Sequence, residues 1–490
     1  MSKTEASGVI IRAENGDVIG WDETGLVLRL SDRVIADIAA RLNVANLTND
    51  RAGQASEKSD ALFGAHGAQI DDDIDAWAVD RRGDWVYFQA NLPGADCPRG
   101  YMRHKDGPTI LAQSHLPLMG IFALGGARAQ LGQPLPSRFP YHLFAPADDI
   151  GAAGMGGEGE AVATAQLLPL RALTHEALLA EKLLAMRQAA GAGLPLFFVR
   201  AETDMAASAK ELGQGAAMAN LRQALQNFYL AAAHLGRPAK VAAICLDYCL
   251  EDVAGDGMAY RDGIMAVMAQ ITQTLGNLGA PRPMFLSGFD CGTQSITTGA
   301  ALQGQWELAW NHGDHPLICT GPSYAYAMDD TGRLRPEGQR AKAELSAHAL
   351  LACEAGKVWH CPTIQLAERA GDDIRLICEA MDGLTLDPRD PFDAGAAAGF
   401  RLDGARNKAE IKKVEIDPKD KRAVILRCSA RPEGEVFVAY AYGAAPRQGA
   451  HLFPANAGAL RDTWEVEGSA EMPLHRWALP ARLRLTDGPA

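Results

Sequence analysis

The polar residues with types suited to chemistry fall in short groups, each just beyond an apolar run. Arg128 follows LMGIFAL (118–124) and two glycines; Glu202, Thr203 and Asp204 follow LPLFFV (194–199). Tyr248, Glu251 and Asp252 follow VAAICL (241–246), and Asp330 and Arg333 stand in DTGRLRPEGQR, which leads into a helical pattern. A guanidinium is planar and permanently charged and can hold two oxygens at once, while a carboxylate accepts in the same paired way. Such a set suits the hydroxyls or carboxylates of a sugar. Each group also has a plainer reading. Asp330 and Arg333 can close their loop as an ion pair, and Thr203 or Asp204 can cap the helix that follows. Arg128, Glu251 and Asp252 can be solvated surface charges.

Other motifs carry less. GAAGMGGEGE (151–160) has two Glu and lacks the Lys of a phosphate-binding loop, so a flexible loop is expected. His312 and His315 precede an apolar run and read as a turn, and Cys245 and Cys249 have no second pair, so no metal site is expected. Cys97, Cys245, Cys249, Cys291, Cys319, Cys353, Cys361, Cys378 and Cys428 are scattered, odd in number and mostly within apolar stretches. They read as reduced, buried thiols, not as a disulfide framework. Trp464 and Trp477 read as buried anchors of the last domain, with stacking on a sugar ring the alternative. No cofactor is implied.

What must position these groups is an alternation of strand and helix. Besides the three runs above, MFLSGF (284–289) and PLICT (316–320) are short, nearly unbroken apolar segments, as in strands covered on both faces. Helical patterns separate them, such as NLRQALQNFYLAAAHL and YRDGIMAVMAQITQTLGNL. That alternation predicts an α/β domain over residues 113–352, with a parallel sheet whose working site lies beyond the strands' carboxyl ends. Residues 353–490, with runs such as DIRLICEA and RAVILRC, predict a β-rich domain. Residues 1–112 hold a helical pattern over 33–47, two short strand-like pieces and a long polar stretch. They read as an N-terminal arm or small attachment domain that orders against a partner.

The 490 residues leave room for two or three domains. The net charge of −13 argues against a nucleic-acid or anionic-membrane binder. The opening MSKTEASG lacks the pattern of a secretory signal peptide, and no run is long enough to span a bilayer, so no membrane insertion is expected.

The order of the motifs resembles the SGNH hydrolases, in particular the sialate O-acetylesterase-like carbohydrate esterases. LGGARAQ is similar to that family's LGQSNAQ, LDYCLEDV to WHQGESDA, and DTGRLRPEGQR to DGVHLTPEGQR; GEVFVAYAYGAAP looks like a strand of their appended β domain. The resemblance spans about residues 113–445. It implies a three-layer, flavodoxin-like α/β fold and an O-acetylesterase lineage with a Ser nucleophile, an Asp and a His.

This sequence departs from that pattern where the chemistry would occur. The nucleophile position is Ala127, the His position is Arg333, the Asn donor position is Arg128 and a motif Gly is Cys249; Asp330 alone keeps its type. A methyl cannot attack and a guanidinium cannot accept a proton, so the catalytic set is expected to be degenerate, with no catalytic residue. The expected function is therefore binding. The ligand would be a surface or capsular polysaccharide, held by Arg128, Glu202, Thr203, Asp204, Tyr248, Glu251, Asp252, Asp330 and Arg333. Proteins resembling this arrangement occur as spikes or fibres of phage-like particles, including gene transfer agents. That implies synthesis in the cytoplasm, a place on the particle surface, attachment to other spike or fibre proteins through residues 1–112, and a homo-oligomer. Two alternatives stay open: an active O-acetylesterase with relocated residues, drawing on His312, His315, His360, Thr203 or Ser323, and a particle component with no glycan site.

Overall fold

The computed structural model describes residues 8–13, 16–22, 25–28, 74–95, 97–126, 132–247, 255–289, 300–329, 333–442, 456–469 and 473–487. The chain divides into two compact units, 1–69 and 70–490. In the first, β1 (Gly8–Ala13), β2 (Gly16–Asp22) and β3 (Gly25–Leu28) form an antiparallel sheet in sequence order. The helical pattern expected over 33–47 lies outside the described residues.

The second unit begins with an antiparallel meander of β4 (Ala76–Arg82), β5 (Trp85–Ala90), β6 (Arg99–His104) and β7 (Ile110–Ala112). Alternation along β5 buries Val86, Phe88 and Ala90. Phe88, Tyr101, Met102 and Leu111 join one apolar cluster with Leu118, Phe122 and Phe228. The expected boundary at residue 112 therefore falls inside a continuous core. Alternate residues of β5, with Tyr101 and Met102 of β6 and Leu111 and Ala112 of β7, are buried in that core, and this was enough to recruit a segment that reads as polar overall.

The main sheet contains β8 (Leu118–Gly125), β9 (Leu143–Pro146), β10 (Ala153–Gly154), β11 (Leu167–Pro169), β12 (Phe197–Thr203), β13 (Ala239–Leu246), β14 (Phe285–Phe289) and β15 (Leu317–Pro322). Its order is β11-β9-β12-β8-β13-β14-β15, with β10 also on β12. The five apolar runs are β8, β12, β13, β14 and β15, and every pairing among them is parallel. The chain starts centrally, steps once to one side, then proceeds outward on the other, the doubly wound order of open α/β sheets. The short β10 lies within the segment expected to be a flexible loop.

Helices cross between these strands: α1 (His175–Ala189), α2 (Ala209–Leu212), α3 (Ala216–His234), α4 (Gly257–Asn277), α5 (Ala300–Trp310) and α6 (Pro336–Glu354). Successive strand residues feed different cores because side chains alternate across a sheet. Phe122, Leu124 and Phe198 pack with Phe228, Ile264 and Met268 of α3 and α4. Ile121, Ala123, Phe197 and Val199 pack with Leu179, Leu184, Leu345 and Leu350 of α1 and α6.

The rest of the unit is β-rich. It comprises β16 (Thr363–Ala370), β17 (Asp373–Glu379), β18 (Leu384–Leu386), β19 (Phe400–Asp403), β20 (Ile411–Ile416), β21 (Ala423–Cys428), β22 (Phe437–Tyr440), β23 (Leu460–Val466), β24 (Leu474–Trp477) and β25 (Ala481–Asp487). Seven form a sheet in the order β19-β22-β25-β16-β17-β21-β20, and β18-β23-β24 form another. Trp477 is buried against Phe392, and Trp464 packs edge-on to Trp359 with ring centroids 4.9 Å apart. Cys245, Cys361 and Cys378 are buried free thiols, whereas Cys97 is exposed. Among the described residues, no helix is long and apolar enough to cross a membrane.

Candidate functional site

The carboxyl end of the parallel sheet is held level by main-chain bonds. Gly125 stands beside Thr203 in the ladder. Just past the strands, Asp204 N–H donates to Gly125 O and Asp247 N–H to Leu124 O, both at 3.1 Å. Beyond β15 the chain makes a short 3-10 turn at Ser323–Ala325, and Met328 then pairs with Leu334. Asp329 closes this hairpin from both ends: its N–H donates to Arg333 O at 2.8 Å, and its Oδ1 accepts from Arg333 N–H at 2.9 Å. Pro336 then opens α6, where its missing N–H costs nothing and its fixed φ suits the first turn.

Three side chains tie these elements together. Gln133 Nε2 donates to Pro336 O at 2.7 Å, and Arg340 Nε donates to Gln133 Oε1 at 2.9 Å. The segment after the first strand is thereby fixed to the start of α6. Lys342 Nζ, also on α6, donates to Asp247 Oδ1 at 2.6 Å, just past the third strand. The flanks of the first, third and last motifs thus meet at one end of the sheet.

Ala127, Arg128, Tyr248, Glu251, Asp252 and Asp330 lie outside the described residues. Arg333 is exposed and is held through its main chain. Asp204 is half-buried at the end of β12, where its Oδ1 accepts from Ala206 N–H at 3.0 Å in a local turn. The helix that follows is capped by Ser208, not by Thr203 or Asp204. Glu202 and Thr203, expected on the ligand rim, are interior. Thr203 Oγ1 donates to Gly154 O at 2.6 Å. Glu202 accepts from Arg200 Nε at 2.7 Å, and Arg200 Nη1 stands 3.6 Å from Asp148. Burial pushes the Glu202 carboxyl up to about 7 against the pull of Arg200, and raises Asp148 as well. One guanidinium faces two buried carboxyls whose ionisation burial disfavours, so an internal cluster of Arg200, Glu202 and Asp148 accounts for these residues without a ligand.

A second titratable group under this end was missed from sequence. Glu176, in the first turn of α1, is 1% exposed; Thr174 Oγ1 donates to its Oε1, and its Oε2 has no hydrogen-bond partner. Burial raises its carboxyl to about 7. The adjacent His175 is pushed down to about 3 by burial, with Lys342 acting in the same direction and Asp247 opposing, and its Nδ1 is unpartnered. The signal was a His-Glu pair opening an apolar helix, where acidic residues are commonly read as solvated favourable charges for the helix end.

The relocated-esterase alternative requires a His near Thr203 or Ser323. His312 and His315 precede β15, and His312 Nδ1 lies 2.7 Å from His315 O. Thr203 ends β12, and Ser323 follows β15 at the opposite end of the parallel sheet. The six-residue β15 separates the two ends by roughly 17 Å. His360 lines a pocket with His312 at the amino end. These residues are not brought together. Among the described residues, no group of three or more His, Cys, Asp or Glu is arranged to hold a metal ion.

No family model and no curated protein matches the sequence. Among solved structures, the chain is similar to a carbohydrate acetylesterase from Xanthomonas citri at 14% identity and a TM-score of 0.47, covering 79% of this chain and 85% of that one. It is similar to NanS at 12% identity and 0.35, over 49% of this chain and 99% of that one. A carbohydrate acetylesterase from Sinorhizobium meliloti gives 12% and 0.28, over 48% and 99%.

Proposed function

We propose that this chain is a catalytically silent relative of the sialate O-acetylesterase-like carbohydrate esterases, built on a three-layer SGNH-type domain, and that it binds a surface polysaccharide. The observation that carries the reading is the hairpin closed by Asp329, which holds Arg333 at the same sheet end where β8 terminates two residues before Ala127. A permanent cation and a methyl stand at the motif positions of the proton acceptor and the nucleophile. Acyl transfer needs both together with an oxyanion site, and neither can supply its part. A guanidinium remains well suited to hydroxyl and carboxylate oxygens. A binder that leaves its receptor intact fits a spike or fibre on a phage-like particle, acting as a homo-oligomer. Attachment to other spike or fibre proteins through residues 1–112 is part of the same proposal, although 76–112 also contribute to the core of the second unit.

The test offers the full chain an aryl acetate and O-acetylated sugars, beside an Ala127→Ser/Arg333→His variant. The expected rate for the unaltered chain is that of buffer. The chain should also be retained on capsulated cells and not on capsule-deficient ones. Turnover well above buffer by the unaltered chain, or equal retention on both cell types, would overturn the reading.

A further inference from the structure

At the amino end of the parallel sheet, opposite the site above, a pocket of about 340 Å³ opens where the β-rich part meets the α/β part. Its floor comes from Ile318 and Cys319 of β15 together with Cys361, and its rim carries Trp310, Val358, His360 and Glu379. Trp310 ends α5 and is 45% exposed, while Val358 is 68% exposed. Large apolar groups left in water at the mouth of a concave, mostly apolar pocket mark a ligand site more often than a defect.

The ionisable side chains of the lining are Glu379, two imidazoles, His312 and His360, and thiols. Glu379 is its carboxylate, and among the described residues no Lys or Arg lines the pocket. Gln365 Nε2 donates to Glu379 Oε2 at 2.6 Å, while Oε1 faces His360 Nε2 at 3.8 Å, beyond hydrogen-bond reach. Behind the wall, the Arg476 guanidinium lies 5.2 Å over the Trp359 ring and is already matched by Asp462 at 2.7 Å and by Asp382. The thiols stay uncharged, because burial pushes Cys319 up to about 12 and Cys361 higher still. They therefore act as soft, polarizable wall.

We infer that this pocket binds a small aromatic cation, its ring against Trp310 and the aliphatic wall and its charged nitrogen on Glu379. An indole offers an aromatic ligand a stacking or edge-on partner, and a carboxylate with one oxygen free of hydrogen bonds supplies a charge-assisted acceptor. The net charge of −13 favours entry of a cation over an anion. The site is independent of the proposed polysaccharide site.

The probes are benzamidine and its uncharged isostere benzamide, measured by equilibrium dialysis against the full chain at low ionic strength. The expected result is one benzamidine per chain, with benzamide weaker by about tenfold or more. Glu379→Gln, an isosteric change at a half-exposed strand end, should weaken benzamidine by about tenfold and leave benzamide unchanged, while Trp310→Ala should weaken both. Absence of saturable binding, equal affinity for the two probes, or an unchanged benzamidine affinity in Glu379→Gln would each overturn the assignment.

Discussion

Replacing Glu176 by Gln isolates the effect of one buried carboxyl on stability. Glu176 is 1% exposed, and burial lifts its carboxyl from an ordinary 4.5 to about 7. Below about pH 4.5 the folded and unfolded chains both carry the proton. Between there and about pH 7 the unfolded chain releases it while the folded chain holds it, so the contribution of Glu176 to stability falls as pH rises and is lost above 7. The full loss is about 3 kcal/mol, from the separation of the two values. Gln keeps the acceptor for Thr174 Oγ1 but has no proton to lose. His142 and His175, held down to about 4 and about 3 by burial, change stability in the opposite sense, but they are present in both proteins and cancel in the difference. Denaturant unfolding of both proteins from pH 4.5 to 8 should therefore show the variant gaining about 3 kcal/mol over wild type as pH rises through this window. A difference that stays flat across that range would refute the reasoning.

Two further substitutions probe neighbouring features. Lys342→Met removes the cation from a pair whose side chains are 12% and 8% exposed, so Asp247 loses this charge partner and destabilisation of about 3–5 kcal/mol is expected. An unchanged denaturation midpoint at pH 7 would show that Asp247 finds another partner. In Gly154→Ala the new methyl would overlap the Glu202 carboxylate, which Arg200 holds in place, so destabilisation of about 1–3 kcal/mol is expected. A thermal melt that matches wild type would show that Glu202 is free to move.

The central sheet was legible because strands covered on both faces must be apolar at nearly every position, and the five runs have few other uses. Strand ends were less legible. LPLFFV was read as stopping at Val199, yet β12 continues to Thr203. Glu202 looked like part of a loop beyond the strand, but it pairs with Arg200 inside that strand. They point to the same side of the strand, and their mutual neutralisation allows the strand to bury them. An Arg and a Glu two apart in an otherwise apolar segment was the available clue. The meander at 76–112 was misjudged for a related reason. Average composition hides a period of two, and Val86, Phe88 and Ala90 are buried although their neighbours are not. The start of α6 was better foreseen, because a Pro-Glu-Gly sequence after a turn opens a helix by local rules alone, whereas the hairpin before it was not read.

The position of β25 has a consequence for biosynthesis. It lies between β22 and β16, in the interior of the seven-stranded sheet, yet it is the last of those strands to leave the ribosome. Until residues 481–487 emerge, the nascent chain holds two part-sheets whose facing edges are unsatisfied templates for intermolecular pairing. Termination before residue 481 would keep the chain in that sticky condition, so quality control should be severe for products that lack β25 alone.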